Sequence, residues 1–398
     1  MEKRNVYLDN SATTETRTEV VNEMMPYFSK IYGNASSVHT YGQQAKAALT
    51  KARETFAKLI NANSPEEIIF TSGGTESDSI AIVGSLLANK GKHIITSKIE
   101  HHAILFTCQN LEKQGYKADY ISVDNIGKIN IEELKSKITD DTVIVSIMHA
   151  NNEIGTIEPI KEISKVLKEI NKTRKDKILL HTDAVQTAGK VKLDVQKLGV
   201  DLLSVSGHKF YGPKGIGALY IRKGTKIEPL FHGGHHEFGM KPGTENVAGI
   251  VGITKALELA NLEMETENRK IFYLRRKLAD GIVEKIPEII INTDIYSSVP
   301  NVLSVSFNYL EGESLLLMLD MAGIAASAGS ACATGSAEPS HVLSAIGANP
   351  LAAQGTIRFS LGRYNTDEDI DYVLEVLPNL VERVRQMSPI WMNRGFEE

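Results

Sequence analysis

Ile178-Leu179-Leu180-His181-Thr182-Asp183-Ala184-Val185-Gln186 is followed, 26 positions after its Asp, by Lys209 in Ser204-Val205-Ser206-Gly207-His208-Lys209. The first opens on a short apolar run and the second follows Leu202-Leu203, and each closes on polar, chemically capable side chains. Such a run reads as a strand of a buried parallel sheet, and an acid just past its end sits where open α/β sheets bind ligands. Ile178–His181 and Asp201–Val205 are thus expected strands, followed by Gly217–Ile221. Upstream, strands are expected over Glu67–Phe70, Lys92–Thr96 and Val143–Met148. Helices are expected over Gln43–Ile60, Thr75–Leu87, His102–Lys113 and Ile160–Ile170. Strands alternating with helices of this length imply βαβ units and a mostly parallel sheet. A long helical stretch from Asn246 to about Glu284 follows, and the order then changes. Strand Val302–Phe307, helix Ser314–Met321, a small-residue loop, strand Thr356–Ser360 and helix Thr366–Arg385 suggest a smaller α+β unit. The expected division is a large domain over residues 16–259 and a small C-terminal domain over 260–398, with residues 1–15 joining the small domain.

The 398 residues carry 44 Lys+Arg against 49 Asp+Glu, a net charge of −5. No basic stripe marks a nucleic-acid or membrane-surface binder. The two cysteines, Cys108 and Cys332, form no disulfide framework, which suits a reducing compartment. The first residues lack a signal peptide's apolar core, and no uncharged stretch makes the ~20-residue apolar span a bilayer needs. A cytoplasmic protein is expected.

Three groups of residues carry chemistry. Thr71-Ser72-Gly73-Gly74-Thr75-Glu76-Ser77 lies between a strand and a helix, where glycines let helix N-terminal N–H groups face an anion; the plain alternative is a well-capped turn. A Lys beside small and hydroxyl residues at a strand end can lose its proton and act as an amine nucleophile. With Asp183 it suits pyridoxal phosphate, the Lys carrying the cofactor and the acid keeping the ring nitrogen protonated. Lys209 alone would read as a surface lysine. Thirdly, thirteen of the sixteen residues from Ala322 to Ala337 are Ala, Gly or Ser, a composition that orders poorly and reads as a mobile loop. Cys332 within it is an unusual place for core filler, whereas Cys108 sits in an apolar helix. His232-Gly233-Gly234-His235-His236-Glu237 resembles a metal motif only superficially, since Gly-rich spacing fixes ligands badly; no metal is expected.

The chain resembles the cysteine desulfurases of the iron–sulfur-cluster type, in the class V aminotransferase-like family of fold-type I pyridoxal-phosphate enzymes. The resemblance runs from Tyr7-Leu8-Asp9-Asn10-Ser11-Ala12-Thr13-Thr14 through Ser72–Ser77, Ser97-Lys98-Ile99-Glu100-His101 and His149-Ala150-Asn151-Asn152-Glu153-Ile154-Gly155. It continues through Asp183–Gln186, Ser206–Lys209, Gly243-Thr244-Glu245-Asn246, Gly329-Ser330-Ala331-Cys332 and Ile357-Arg358-Phe359-Ser360. It implies a homodimer that removes sulfur from L-cysteine to give L-alanine. In that scheme Lys209 holds pyridoxal 5′-phosphate and moves protons, Asp183 pairs with the ring nitrogen and Gln186 bonds the phenolic oxygen. His101 stacks on the ring and assists proton transfer. Gly74, Thr75, Ser206 and His208 cradle the phosphate, with Thr244 arriving from the other subunit. Asn152 contacts the cofactor and, with Arg358, holds the substrate carboxylate. Cys332 accepts the sulfur as a persulfide, passes it to an acceptor such as an iron–sulfur scaffold protein, and could transiently ligate a cluster there. Ala35, Lys241-Pro242 and Phe238 depart from the family pattern, and Phe238 removes a guanidinium from near the site. The alternatives on the same scaffold are a selenocysteine or cysteine-sulfinate lyase, an aminotransferase, or a non-catalytic assembly platform.

Overall fold

The computed structural model describes residues 4–328, 340–388 and 391. Thirteen strands lie within them: β1 Val6–Tyr7, β2 Ile68–Thr71, β3 His93–Ser97, β4 Lys117–Ile121, β5 Thr142–Ser146, β6 Leu179–Asp183, β7 Leu202–Ser206, β8 Gly217–Ile221, β9 Ile289–Ile291, β10 Val302–Phe307, β11 Ile324–Ala325, β12 Ser327–Ala328 and β13 Thr356–Ser360. Seven form one sheet in the order β2-β8-β7-β6-β5-β3-β4. Only β8 runs against its neighbours; the other pairings in this sheet are parallel. The C-terminal ends of β2, β3, β5, β6 and β7 therefore share one edge.

Alternation along each strand covers both faces. Ile68, Phe70, Ile95, Val145, Leu180 and Leu203 enter one hydrophobic core. Their neighbours Ile69, Ile94, Ile144, Leu179 and Leu202 enter another on the opposite face. Two covered faces leave no solvent side for the strands, which is why apolar residues stand consecutively in them, as in Ile94-Ile95, Leu179-Leu180 and Leu202-Leu203.

A second sheet, in the order β12-β13-β10-β9, is antiparallel throughout. Its own core gathers Leu303, Val305, Phe307, Ile357, Phe359 and the apolar side of the helix Asp367–Gln386. The N-terminus joins this part of the molecule: β1 pairs in parallel with β11, and Asp9 bridges to Ser360.

One helix, Val247–Lys285, serves both parts. The Asn246 side chain caps it, accepting from the Gly249 amide at 2.9 Å. Ile250, Ile253, Leu257 and Ala260 pack into the large core, and Ile271, Leu274, Leu278 and Ile282 into the core of the small sheet.

Several elements differ from the sequence reading, and two of them bear on the large sheet. The expected helix Thr75–Leu87 is helical over Gly74–Ser79 and Ser85–Leu87 but takes a π-helical turn at Ile80–Gly84. An apolar run buried all round carries no periodicity to reveal such a turn. Strand β4 escapes notice because it lies at the sheet's edge and is polar. Among the described residues no helix is long and apolar enough to cross a membrane.

Candidate active site

The strand ends place the chemically capable residues around two adjoining cavities. The first, about 240 Å³, is lined by Gly74, Thr75, Asp78, His101, Asn152, Asp183, Gln186, Ser206, His208 and Lys209, among others. The second, about 170 Å³, shares His101, Asn152, Gln186 and Lys209 and adds Ser11, Glu153, His341 and Arg358.

Gly74 and Thr75 start the helix after β2. A side chain on Gly74 would bring its Cβ to 2.9 Å from Val185 Cγ2, so glycine keeps this wall open. Asp183 ends β6, where its Oδ1 accepts from the Val185 amide at 2.8 Å. Burial pushes its pKa above the ordinary carboxylate range; the Val185 amide and the Lys209 charge oppose that rise. Asp78 lies close by, with Oδ1 buried and without a hydrogen-bond partner among the described residues. Burial and the charge of Asp183 hold Asp78 well above its usual value, so the pair carries less than two full charges.

Ser206 ends β7, and Gly207–Lys209 form a single 3₁₀ turn. Lys209 Nζ donates to the carbonyls of Ser11 at 2.6 Å and Ala12 at 2.8 Å. Gln186 Nε2 donates to the Ser11 carbonyl at 3.1 Å, while its Oε1 is buried and unpartnered among the described residues. The N-terminal segment thus lies against the site, and His208 Nδ1 meets Thr13 Oγ1 at 3.1 Å.

His101 caps the helix His102–Glu112: its Nδ1 accepts from the Ala103 amide at 3.1 Å. A neutral imidazole there must carry its proton on Nε2. Burial, then the charges of Lys209 and of His102 and His341, push its pKa down to about 4. Behind it, the Glu100 carboxyl is raised to about 8, chiefly by burial, although Ser97 Oγ and the Met148 amide donate to it.

Arg358 sits on β13 with its side chain almost wholly buried. It donates to the Asn152 carbonyl at 2.9 Å and to Asp9 Oδ1 at 3.0 Å, while its Nε has no partner among the described residues. Asn152 and Arg358 therefore meet at the second cavity, with Asp9 orienting the guanidinium.

Thr244 is exposed and lines neither cavity of its own chain. Cys332 lies outside the described residues. Within the His-Gly-Gly-His-His-Glu stretch, Glu237 is buried and forks onto Arg53 at 2.6 and 2.7 Å. Its Oε2 also accepts from the Phe70 amide at 2.8 Å, on β2 at the edge of the large sheet. Glu237 and Phe238 both hold positive φ, +47° and +55°. The exposed Phe238 ring lies 5.1 Å from the Arg53 guanidinium, and neither residue lines the two cavities.

Sequence reasoning assigned no role to Asp9, Asp78 or the Ser11 and Ala12 carbonyls. The motif Tyr7–Thr14 pointed at this segment, but a main-chain acceptor leaves no mark in side-chain identity.

The Aminotransferase class-V family pattern matches residues 6–373. The chain is 53% identical over 392 residues to the cysteine desulfurase IscS of Clostridium botulinum, covering 98% of this chain and 97% of that one. Among solved structures, a NifS-like protein superposes with a TM-score of 0.89 at 41% identity, covering 96% of this chain and all of that one. SspA, solved in complex with cysteine, superposes with a TM-score of 0.79 at 34% identity, over 91% of this chain and all of that one. With strand ends, acid, lysine and arginine arranged as above, the chain belongs to the class-V aminotransferase family and stands among its cysteine desulfurases.

Proposed function

We propose that this chain uses pyridoxal 5′-phosphate to take sulfur from L-cysteine, releasing L-alanine and leaving a persulfide on Cys332 for an acceptor protein, an iron–sulfur scaffold in the first instance. The observation that carries this reading is the meeting of Lys209 and Asp183 across one buried cavity, with Arg358 at the cavity that opens from it. Buried Asp183, an unpartnered Gln186 Oε1 and a wall kept open by Gly74 fit that cofactor. Asp183 and Gln186 would hold its ring, Gly74, Thr75, Ser206 and His208 its phosphate, and Thr244 of a second copy would complete the cradle. Bound there, the cofactor supplies an electron sink for the carbanion at the substrate's Cα.

The chain's own residues do the rest. Arg358 and the Asn152 side chain grip the substrate carboxylate, the guanidinium offering the fork that suits two carboxylate oxygens. Lys209 Nζ removes the Cα proton and returns one on the way to alanine. His101, neutral from about pH 5 upward, is ready to pass a proton through Nε2. The Cys332 thiolate attacks the substrate sulfur, since the thiolate is the nucleophile. The Cβ–S bond breaks, the alanine carbon takes a proton, and the sulfur stays on Cys332. The division at residue 259 belongs to the same proposal, with the cofactor held by the larger part and Arg358 and Cys332 by the smaller. A cytoplasmic location fits a persulfide, which is handed on to an acceptor thiolate and so needs surroundings in which acceptor cysteines stay free.

The test is intact mass after L-cysteine without reductant, with alanine assayed in the same tube. The expected result is one added sulfur, removed by mild reduction and mapped to Cys332, together with alanine. Cys332→Ala is expected to bind cofactor yet carry no added sulfur. Alanine without added mass would instead assign a lyase that expels sulfur directly.

A further inference from the structure

Lys190 is a cation bonded to the backbone of this site to which the mechanism gives no work. It is half-buried, with its amine end deep among protein atoms. The amine donates to the Lys209 carbonyl at 3.1 Å and to the Gln186 carbonyl at 3.3 Å. Both acceptors belong to residues proposed to hold the cofactor, and they sit on different turns, after β6 and after β7. Among the described residues no carboxylate forms a salt bridge with Lys190. A lysine held inward without an acid is unusual, since ammonium groups seldom leave water unpaired.

The surrounding chain is built to keep it there. Gly189 has φ +75°, and a Cβ on it would come to 2.9 Å from both Ala260 Cβ and Phe210 Cβ. That close approach tucks the turn carrying Lys190 under the one carrying Lys209. From the long helix, Asn268 Nδ2 donates to the Lys190 carbonyl at 2.7 Å and fixes the backbone.

We propose that Lys190 is a positioning residue for Lys209: its ammonium ties together the turns bearing Gln186 and Lys209 and sets a second positive charge behind the working amine. The inference rests on the cofactor reading given above. A neighbouring cation disfavours the ammonium form of Lys209 and so favours the free amine that a nucleophile and base must be. The influence is mutual. Burial first, and the Lys209 charge second, push Lys190 down to about 7. Lys209 itself faces Asp183, whose rise its charge opposes, and His101 and His208, both lowered to about 4 by burial and then by its charge; Lys214 and Lys190 act on His208 as well. The long helix contributes the neutral Asn268.

The experiment compares wild type, Lys190→Met and Lys190→Gln. Three readouts serve: thermal midpoint, affinity for added pyridoxal phosphate, and the pH midpoint of the bound cofactor's absorbance. Lys190→Met removes both donor and charge. It is expected to weaken cofactor binding by about tenfold, the scale of one lost charge-assisted hydrogen bond. It should also move the absorbance midpoint upward by about one unit, as for a lost neighbouring charge. Lys190→Gln keeps a donor without the charge, so affinity should largely return while the midpoint stays displaced. It also covers the case in which the Met variant fails to fold. Folded variants with wild-type affinity and midpoint would overturn the proposal. So would a Gln variant whose midpoint matches wild type. Borohydride reduction of the wild type followed by peptide mapping separates the two readings. Cofactor fixed to Lys209 beside unmoved variants defeats the role of Lys190 alone; cofactor absent from Lys209 defeats both.

Discussion

Arg358 shows how one side chain can be held charged in a buried place. Asp9 neutralises it from one side and the Asn152 carbonyl satisfies another N–H, while Nε is buried with no partner among the described residues. A lysine could supply the charge but not the fork. Arg358→Lys is expected to raise KM for L-cysteine by about tenfold, with a smaller effect on kcat, in steady-state assays. Glu100 makes the opposite case, a carboxyl kept neutral. Its folded pKa of about 8 exceeds the ordinary value of 4.5, so the folded chain binds the extra proton between those limits. That contribution is fully present below about pH 4.5 and is lost as pH rises through 8. Glu100→Gln keeps the neutral shape without the titration. Its thermal midpoint should fall less than that of wild type between pH 6 and pH 9, a difference on the order of a few kcal/mol in stability. A variant curve parallel to wild type would mean that Glu100 is already ionised at pH 6.

Among the elements, edge strand β2 depends on a residue far along the chain. The Glu237 carboxylate accepts from the Phe70 amide and pairs with Arg53, whose guanidinium also donates to the Ile68 carbonyl. This contact holds Glu237 and Phe238 in the left-handed region, which disfavours ordinary side chains. Glu237→Gln leaves the Arg53 charge buried and unpaired. It should destabilise the fold by about 3 kcal/mol in denaturant titration. Strands β3, β5, β6 and β7 could be read from the sequence because both of their faces are apolar. Strand β4, polar at the edge, could not. Asp183 and Lys209 were legible because each follows such a strand and bears a reactive group. Asp78, Asp9 and the Ser11 and Ala12 carbonyls matter through neighbours more than one hundred positions away or through the main chain, and local pattern holds no record of either. The buried Glu237 stands at the end of a histidine-rich stretch, and its role lies in partners on other elements, Arg53 and the Phe70 amide, which local pattern does not record.

Across the whole molecule, the two parts are joined by charge as well as by the shared helix. Arg17, near the N-terminus, forks onto Glu263 of the long helix at 2.7 and 3.1 Å. Arg363, just past β13, reaches the same carboxylate at 3.1 Å and Glu267 at 3.0 Å. Glu263→Gln should lower stability by about 1 kcal/mol at low ionic strength. The loss should shrink with added salt, because the carboxylate is partly exposed. An unfolding midpoint equal to wild type at low salt would show that the network is ornamental.

The helix Val247–Lys285 has a geometric consequence of its own. Its 39 residues form a spar of roughly 58 Å, with one core wrapped on its first turns and the other on its later ones. Each residue along it advances ~1.5 Å and rotates ~100°. A single amino acid inserted between Ala260 and Ile271 would swing Leu274, Leu278 and Ile282 away from their partners and turn the strand bearing Arg358 off the cavity it serves. The same insertion in a surface loop would only lengthen a path. In this protein the count of residues between two points is itself part of the active site, a vernier whose setting cannot slip by one.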